Sequence, residues 1–256
     1  MADVSKMVSD RVAISRTVLA SLQVHGAEVS EDLEKRLFPK GPPAHLTVAM
    51  VIDALGHALD HARNELTAAD LAHAGELADD DAPRNARDNA VVEVRARLIG
   101  IRGALSSVFG SGILTTYGLG GETPDDAELL VHRAANVAKL LADRPIVEQP
   151  KQAGVTVSAA ALAHSLQQPV ADLTAALADV GREVREAQLT LKARNEAVGS
   201  WNAVYQGVAD VVTGIFELCG RADLANLVRP TARRRAGVAE QGDIAPGPAA
   251  DPTKPA

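Results

Sequence analysis

The chain of 256 residues is 46% hydrophobic but only 2% aromatic, and its formal net charge is −7 at pH 7. The low aromatic content favours helices over strands, and the negative charge argues against general binding to nucleic acid or to anionic membranes. The lone Cys219 excludes an intramolecular disulfide and a cysteine zinc site, which together with the lack of a recognisable secretory signal predicts a cytoplasmic protein.

Residues 1–43 predict an N-terminal helical arm. The apolar spacing favours a helix from about Val4 to Val24 and a second, short helix in SEDLEKRLF, from Ser30 to Phe38. The following PKGPP is expected to break the helix, because proline lacks the backbone N–H that a helix interior needs.

A segment of the first half of the chain recurs in the second half. LGHALDHARNELTAA, Leu55 to Ala69, aligns without a gap with LAHSLQQPVADLTAA, Leu162 to Ala176. Self-similarity at one fixed offset indicates an internal duplication. The sequence therefore predicts helical repeat 1 over residues 44–142 and helical repeat 2 over residues 152–229.

Each repeat carries two apolar seams with helical spacing. In repeat 1 they are Val48, Ile52, Leu55, Leu59, Ala62 and Leu66, and then Val91, Val94, Leu98, Ile101, Leu105 and Val108. Repeat 2 places Trp201 and Tyr205 where repeat 1 has Val94 and Leu98, a substitution typical of core packing. Two seams in succession predict that each repeat is a long helical hairpin.

The hairpin turn of repeat 1 is expected at Asp79–Asp81, because carboxylates followed by Pro83 suit a helix N-terminus. An alternative boundary lies in LTAADL, Leu66 to Leu71, which has the form of a capping box. In repeat 2, Gly181 is a weaker turn candidate, and Pro169 is expected to kink or restart the helix.

A glycine-rich loop separates the hairpin of repeat 1 from one more helix. The loop is GLGGETPDD, Gly118 to Asp126, and the helix is expected to run to about Leu141. Thr123 is the predicted N-cap and Pro124 the predicted first helical residue, because both residue types favour those positions.

The end of the sequence changes composition after Pro230. Residues 230–256 are rich in proline, glycine and alanine, and they predict a disordered tail because they offer little apolar surface to bury. The basic cluster at its start, Arg229 with Arg233–Arg235, is expected to be solvated.

Asp53, His57 and His61 are the candidate metal ligands. Their spacing of four residues places all three on one stripe of a helix, where they resemble part of a zinc site. Only the central histidine recurs in repeat 2, as His164. We therefore predict an exposed or interface histidine face without metal or other cofactor, in which His57 and His164 can meet at a contact between the repeats.

The segment Leu98–Tyr117 is apolar and glycine-rich, with Arg102 as its one charge. Such a segment is compatible with a membrane-active hairpin of pore-former type. It is also compatible with the buried end of a core helix, and we favour this interpretation because a charge in mid-segment is costly in lipid.

Gly100 and Gly207 recur at equivalent positions away from the seams. Glycine inside a helix costs about 0.5–1 kcal/mol relative to alanine, so its recurrence predicts that another backbone approaches there, from this chain or from a partner.

These patterns predict an all-α fold: two duplicated helical hairpins in an elongated bundle, with the N-terminal arm and the disordered tail. The function they favour is a non-enzymatic scaffold or assembly subunit that binds a protein partner or forms a defined oligomer. The candidate interface residues are His57, His164, Gly100 and Gly207. A membrane-active protein using Leu98–Tyr117, and a metal-binding protein or enzyme built on Asp53, His57 and His61, are the alternatives.

Overall fold

The computed structural model describes residues 3–43, 45–79, 81–151 and 154–244. Over these residues the protein is helical and contains no strand, so the prediction of an all-α fold is confirmed. The described helices are α1 (Lys6–Leu37), α2 (Val48–Asp79), α3 (Asp81–Phe109), α4 (Ile113–Thr116), α5 (Ala127–Asp143), α6 (Ala159–Leu218), α7 (Ala222–Val228) and α8 (Ala232–Arg235).

The chain divides into two compact units that cut across the predicted repeats. Unit 1 combines the residues up to Leu77 with those from Ala187 onward, and unit 2 spans Ala78–Glu186. The long helix α6 contributes residues 159–186 to unit 2 and residues 187–218 to unit 1.

Unit 1 contains α1, α2, the second part of α6, α7 and α8. Helices α1 and α2 are antiparallel, because the start of α1 contacts the later part of α2: the Ser5 N–H donates to the Asp70 carboxylate at 2.7 Å. Helix α2 is also antiparallel to α6, since His73 Nδ1 lies 3.0 Å from Thr190 Oγ1 and Asp70 lies 3.9 Å from Arg194. The largest fully buried side chains of this core are Ile14, Leu59, Leu66, Trp201, Tyr205 and Phe216.

Unit 2 contains α3, α4, α5 and the first part of α6. Its largest fully buried side chains are Leu105, Tyr117, Leu130, Leu141, Leu166 and Leu173. The glycine-rich loop after α4 is fixed by three arginines that donate to its backbone carbonyls. Arg102 binds Leu119 and Gly121, Arg133 binds Gly120 and Glu122, and Arg95 binds Pro124.

The prediction of helical hairpins is wrong, although the seams are buried as predicted. Helix α2 packs in the core of unit 1 and α3 packs in the core of unit 2, so the two do not share a core. In the second half α6 runs unbroken through Pro169 and Gly181. Proline removes one hydrogen bond from a helix interior, and the surrounding turns of a long, packed helix tolerate that loss.

Burial agrees between the positions that the repeat makes equivalent. Val94 and Trp201 are both fully buried, and so are Leu59 and Leu166. The internal duplication stays a prediction, because agreement of burial at aligned positions is weaker than a superposition of backbones.

Several helix ends differ from the predicted ones. Helix α1 is continuous to Leu37, so the short second helix of the arm is part of it, and its apolar face is core rather than an arm. The N-cap of α5 is Asp126, whose side chain accepts the Leu129 N–H at 2.9 Å, in place of Thr123. Helix α2 ends at Asp79 and α3 begins at Asp81, as predicted, while Asp80 lies outside the described residues.

The first part of the predicted tail is packed on unit 1. Residues 230–244 include α8, which Thr231 caps by accepting the Arg234 N–H. Arg234 is buried, so it is not the solvated side chain that the basic cluster suggested. Residues 245–256 of the predicted tail lie outside the described residues.

Candidate interaction groove

A surface groove of about 600 Å³ lies between α1 and α2 in unit 1. We call it the α1–α2 groove. Its α1 wall consists of Arg16, Leu19, Ala20, Leu22 and Gln23. Its α2 wall consists of Ile52, Asp53, Gly56, His57, Asp60 and Arg63, and Ile244 completes the lining.

The walls follow from helical spacing. Residues 16, 19, 20 and 23 lie on one face of α1, and residues 53, 56, 57, 60 and 63 lie on one face of α2, because steps of three and four residues share a helix face. Near one end the helices come close: a Cβ added to Gly26 would lie 3.2 Å from Ile52 Cγ2. A Cβ added to Gly56 would lie 3.9 Å from Leu22 Cδ1, which is an ordinary van der Waals contact. Gly56 and Leu22 therefore form a shallow, apolar floor.

The groove combines this apolar floor with charged rims. The Asp60 carboxylate pairs with Arg63 along α2 at 2.6 Å. Asp53 and His57 are exposed on the same rim. An apolar floor between polar rims is the arrangement of surfaces that bind peptides and helices.

A second, smaller depression continues the groove towards the start of α1. It measures about 250 Å³ and shares Arg16 and Arg63 with the first. Its other lining residues are Val4, Ser9, Val12, Asn64 and Thr67. The two depressions together follow much of the α1–α2 pair, which is long enough for a bound helix of several turns or an extended segment of several residues.

The last described residues fix one edge of the α1–α2 groove. The Thr17 hydroxyl donates to Asp243 at 3.1 Å and accepts the Ile244 N–H at 3.0 Å. The buried Asp243 carboxylate also pairs with the buried Arg234 guanidinium at 2.9 Å. Arg234 in turn donates to the carbonyl of Leu227, so these residues hold Ile244 at the groove edge.

A layer of aromatic and polar side chains lies inside unit 1 near these residues. Trp201 donates from Nε1 to the Ser15 hydroxyl at 2.9 Å and stacks on Tyr205 with ring centroids 4.9 Å apart. The Arg11 guanidinium lies 5.4 Å from the centroid of Trp201, a cation–π distance. The Arg11 guanidinium also fills the space that a Cβ on Gly237 would need, so the turn after α8 sits directly on this arginine.

Burial shifts the pKa of two side chains in this layer. It lowers the pKa of Arg11, because a charged guanidinium loses hydration. Burial also raises the pKa of Tyr205, whose hydroxyl has no hydrogen-bond partner among the described residues. The folded state therefore favours the neutral phenol. The free energy of unfolding does not change through Tyr205 below about pH 10, and it falls as the pH rises further.

The candidate metal ligands are not gathered into a site. Asp53 and His57 lie on the α2 wall of the groove, whereas His61 is exposed and pairs with Glu65 at 3.3 Å. The three do not form a group of donor atoms within 4.8 Å of one another. His57 is therefore a groove residue.

The other candidate interface residues are exposed but differ in their surroundings. His164 Nδ1 lies 2.9 Å from Gln167 Oε1 on its own helix. Gly100 lines a shallow groove of about 450 Å³ in unit 2, beside Ala96 and Leu162. A Cβ added to Gly100 or Gly207 would meet no atom of the described residues within 4 Å. No described backbone of this chain therefore approaches either glycine, and that part of the prediction is wrong. A meeting of His57 with His164 stays a prediction.

The apolar segment Leu98–Tyr117 forms part of the core of unit 2. Leu98, Leu105 and Tyr117 are buried there, and Arg102 binds the carbonyls of the glycine-rich loop. Within the described residues, no helix has both the length and the apolar character needed to cross a membrane.

Comparison of the chain with protein-family models, with curated proteins and with solved structures finds no match.

The sequence identifies one wall of the groove and misses the other. His57 and Asp53 are conspicuous because of their chemistry, whereas Arg16, Ala20 and Gln23 of α1 are ordinary surface residue types. Their shared helical face is visible in the spacing, but nothing in the sequence says that it lies opposite α2. The placement of Ile244 depends on the pairing of Arg234 with Asp243, which nothing in the sequence indicates.

Proposed function

We propose that this protein is a non-enzymatic assembly subunit that binds a protein partner, or a second copy of itself, through the α1–α2 groove. The observation that carries the proposal is the groove itself: an open apolar floor between charged rims on two long, well-packed helices. Rigid helices hold such a surface in place without a further conformational cost, which favours binding.

The side chains of the groove support binding more than catalysis. The lining of the 600 Å³ groove itself contains no serine, threonine, cysteine, tyrosine or lysine, and hydroxyl side chains occur only in its smaller continuation, as Ser9 and Thr67. Asp53 and His57 lie on the exposed rim, where water competes for them. Charged rims of this kind set the orientation of a bound partner and the rate of encounter.

Filling the groove tests the proposal. Gly56→Phe places a large side chain on the groove floor, where the new Cβ makes only an ordinary contact with Leu22. Gly199→Phe is the matched control, because Gly199 is an exposed helical glycine of unit 1 with open space around it. Both variants should keep the helical circular dichroism of the wild type.

Light scattering after size-exclusion chromatography, with the protein purified from its native host, is the measurement. We expect a defined oligomer or a complex with one partner, which Gly56→Phe abolishes and Gly199→Phe retains. A strict monomer at high concentration without any co-purified protein contradicts the proposal. So does a complex that both variants retain.

A further inference from the structure

We infer that the α1–α2 groove binds helix α3 of a second copy of this chain, with α2 and the bound α3 antiparallel. Unit 1 of one copy then contacts unit 2 of the next copy. The inference rests on the proposed function, because it identifies the partner that this groove binds.

Helix α3 exposes an uncharged face to solvent. The face consists of exposed residues spaced by three and four positions, and we call it the α3 face: Asn89, Val92, Ala96, Ile99 and Gly103. Two of them are large apolar side chains, since Val92 is 67% exposed and Ile99 is 54% exposed. The opposite side of α3 is buried in the core of unit 2, so packing within this unit does not require an apolar α3 face. Apolar residues gathered on one exposed face indicate a contact surface.

A helix suits the α1–α2 groove better than an extended segment does. The N–H and C=O groups of α1 and α2 bond within each helix, so the walls offer few backbone partners. An extended segment would lose the hydration of its own N–H and C=O groups there, whereas a helix bonds them internally. The small residues Ala20 and Gly56 in the groove lining let the backbone of a bound helix come close.

The groove and the α3 face match in length and in side-chain size. The α2 wall runs from Asp53 to Arg63, which is about 15 Å along a helix axis at 1.5 Å per residue. The α3 face from Val92 to Gly103 measures about 16 Å in the same way. The groove floor has a glycine at position 56, which leaves room for a large side chain of the α3 face.

Charged side chains beside the two surfaces are complementary. Asp53 and His57 lie one turn apart on α2, and neither forms a hydrogen bond or ion pair with another described residue. Glu93 and Arg97 lie one turn apart beside the α3 face and pair at 2.8 Å. In an antiparallel pair of helices, the equal spacing places Arg97 opposite Asp53 and Glu93 opposite His57. A guanidinium has five N–H donors, so Arg97 can bind both carboxylates while the imidazole donates to Glu93.

The hand of the α-helix selects the direction of the bound α3. Successive helix residues are rotated by about 100°, and α1 lies on the Ile52 and Gly56 side of α2. Glu93 and Arg97 follow the α3 face on its clockwise side, when α3 is viewed from its N-terminus. This side turns towards α2 if the bound α3 is antiparallel to α2, whereas in the parallel direction it turns towards α1.

The shallow groove of unit 2 receives α2 in return. This groove of about 450 Å³ lies between α3 and α6, and its lining includes Ala96, Gly100 and Leu162 as well as Glu93 and Arg97. It is therefore on the side of α3 that faces α2 of the other copy. A Cβ added to Gly100 would meet no described atom of its own chain within 4 Å, which leaves space for a helix. Each helix then lies in the groove of the other copy.

Mixing two blocked variants of the full-length chain tests the inference. Gly56→Phe fills the α1–α2 groove and leaves the α3 face intact, whereas Ile99→Asp places a charge on the α3 face and leaves the groove intact. We expect the wild type to self-associate, as a ring or an open chain, and each variant alone to be monomeric in light scattering. An equimolar mixture should form a heterodimer and nothing larger, because it keeps one intact groove opposite one intact α3 face.

Leu189→Asp is the matched control for Ile99→Asp, because Leu189 is a 66% exposed leucine of α6 that lines neither groove. It should self-associate like the wild type, as should Gly199→Phe. If Gly56→Phe loses the helical circular dichroism of the wild type, Ala20→Phe fills the same groove from the α1 wall.

Three results overturn the inference: a wild type that stays monomeric at high concentration, self-association of Ile99→Asp at wild-type strength, or no heterodimer in the mixture. If the groove then binds a different protein and Gly56→Phe abolishes that binding, the proposed function stands. A complex that both Gly56→Phe and Gly199→Phe retain contradicts the proposed function as well.

Charge reversal tests the antiparallel direction. Asp53→Arg and Arg97→Asp should each raise the dissociation constant of self-association about tenfold, because like charges then face each other between copies. The double variant restores opposite charges and should recover most of the loss, as measured by light scattering over a dilution series. A double variant that self-associates no more tightly than the single variants overturns the antiparallel placement.

Discussion

Unit 1 and unit 2 bury side chains of different size at the positions that the predicted repeat aligns. Trp201 and Tyr205 fill the core of unit 1 where Val94 and Leu98 fill the core of unit 2. Aromatic side chains add apolar area but also bring polar atoms that need partners. Unit 1 supplies Ser15 for Trp201 and leaves the Tyr205 hydroxyl without one among the described residues.

The two cores are also covered by different segments of the chain. Unit 1 is covered by residues 230–244, which bring Arg234 and Asp243 as a buried ion pair beside Thr17. Unit 2 is closed by its glycine-rich loop, whose carbonyls are bound by partly exposed arginines such as Arg102. Buried polar contacts of Arg234, Asp243 and Thr17 therefore hold residues 230–244 on unit 1, and those same contacts hold the edge of the α1–α2 groove.

Truncating the aligned core side chains Trp201 and Val94 should give the largest difference in unfolding free energy between the two units. We expect Trp201→Ala to lower the free energy of unfolding by about 3–5 kcal/mol, because it leaves a cavity and removes the hydrogen bond that the Ser15 hydroxyl accepts from the indole, although that hydroxyl still donates to the Arg11 carbonyl. The equivalent Val94→Ala in unit 2 should cost about 2 kcal/mol, since valine buries less area. Urea denaturation followed by circular dichroism measures both, and equal losses would contradict the different roles of the two positions.

Breaking the buried ion pair should have the next largest effect. Arg234→Met leaves the buried Asp243 carboxylate without its cation, which we expect to cost about 3 kcal/mol. Arg235→Met is the control, because Arg235 pairs with Asp210 at 3.1 Å on the surface, where such pairs contribute about 0–1 kcal/mol. Thermal unfolding of the two variants separates them, and a loss below about 1 kcal/mol for Arg234→Met would show that residues 230–244 are not held by this pair.

The two buried tyrosines should respond to phenylalanine with opposite signs. Tyr205→Phe removes a hydroxyl without a partner among the described residues and should stabilise the protein by about 1 kcal/mol. Tyr117→Phe removes a hydroxyl that donates to the Arg144 carbonyl at 3.2 Å, so it should destabilise by about 1 kcal/mol. Chemical denaturation at pH 7 measures the signs, and a destabilising Tyr205→Phe would reveal a partner for that hydroxyl.

The pH dependence of stability should also reflect the aromatic core of unit 1. Burial raises the pKa of Tyr205, so the folded wild type should lose stability as pH rises above about 10, where the unfolded phenol ionises. Tyr205→Phe should flatten this part of the curve. Denaturation midpoints between about pH 8 and pH 11 measure it, and an unchanged slope in the variant would assign the loss to other groups.

Replacing the exposed glycines should have the smallest effect on stability. Gly100→Ala in unit 2 and Gly207→Ala in unit 1 should each stabilise the protein by about 0.5–1 kcal/mol, because an added Cβ meets nothing within 4 Å. A loss of stability would show that the added Cβ contacts atoms outside the described residues. If Gly100→Leu keeps the fold but abolishes assembly, a partner backbone approaches there, as the recurrence of the glycines predicts.

The burial pattern of the fold could be predicted from the sequence, but the pairing of helices could not. Leu59, Leu66, Leu98 and Leu105 are buried as their spacing predicts, since an apolar stripe at a helical period must face a core. The stripes of α2 and α3 consist of the same small and aliphatic residue types, so nothing local identifies the partner of each. The sequence order suggests a hairpin, whereas packing places the two stripes in different cores.

The candidate site was predictable only in part for a similar reason. His57 and Asp53 are identifiable because ionisable side chains at regular spacing suggest chemistry, but a groove needs a second wall from α1. Arg234 looks solvated in the sequence because it stands in a run of three arginines. Its burial depends on Asp243, and neither residue alone shows that the chain folds back over α1.

Photo-crosslinking from His57 is the decisive test of the α1–α2 groove as the partner-binding surface. Benzoylphenylalanine replaces His57 in the full-length chain in its native host, and His61 is the matched control, an exposed histidine one turn further along α2 that does not line the groove. We expect one dominant crosslinked protein, or a second copy of this chain, from position 57, with little of it from position 61 and none in Gly56→Phe. Equal crosslinking from both positions, or crosslinking that persists in Gly56→Phe, would show that the partner binds elsewhere.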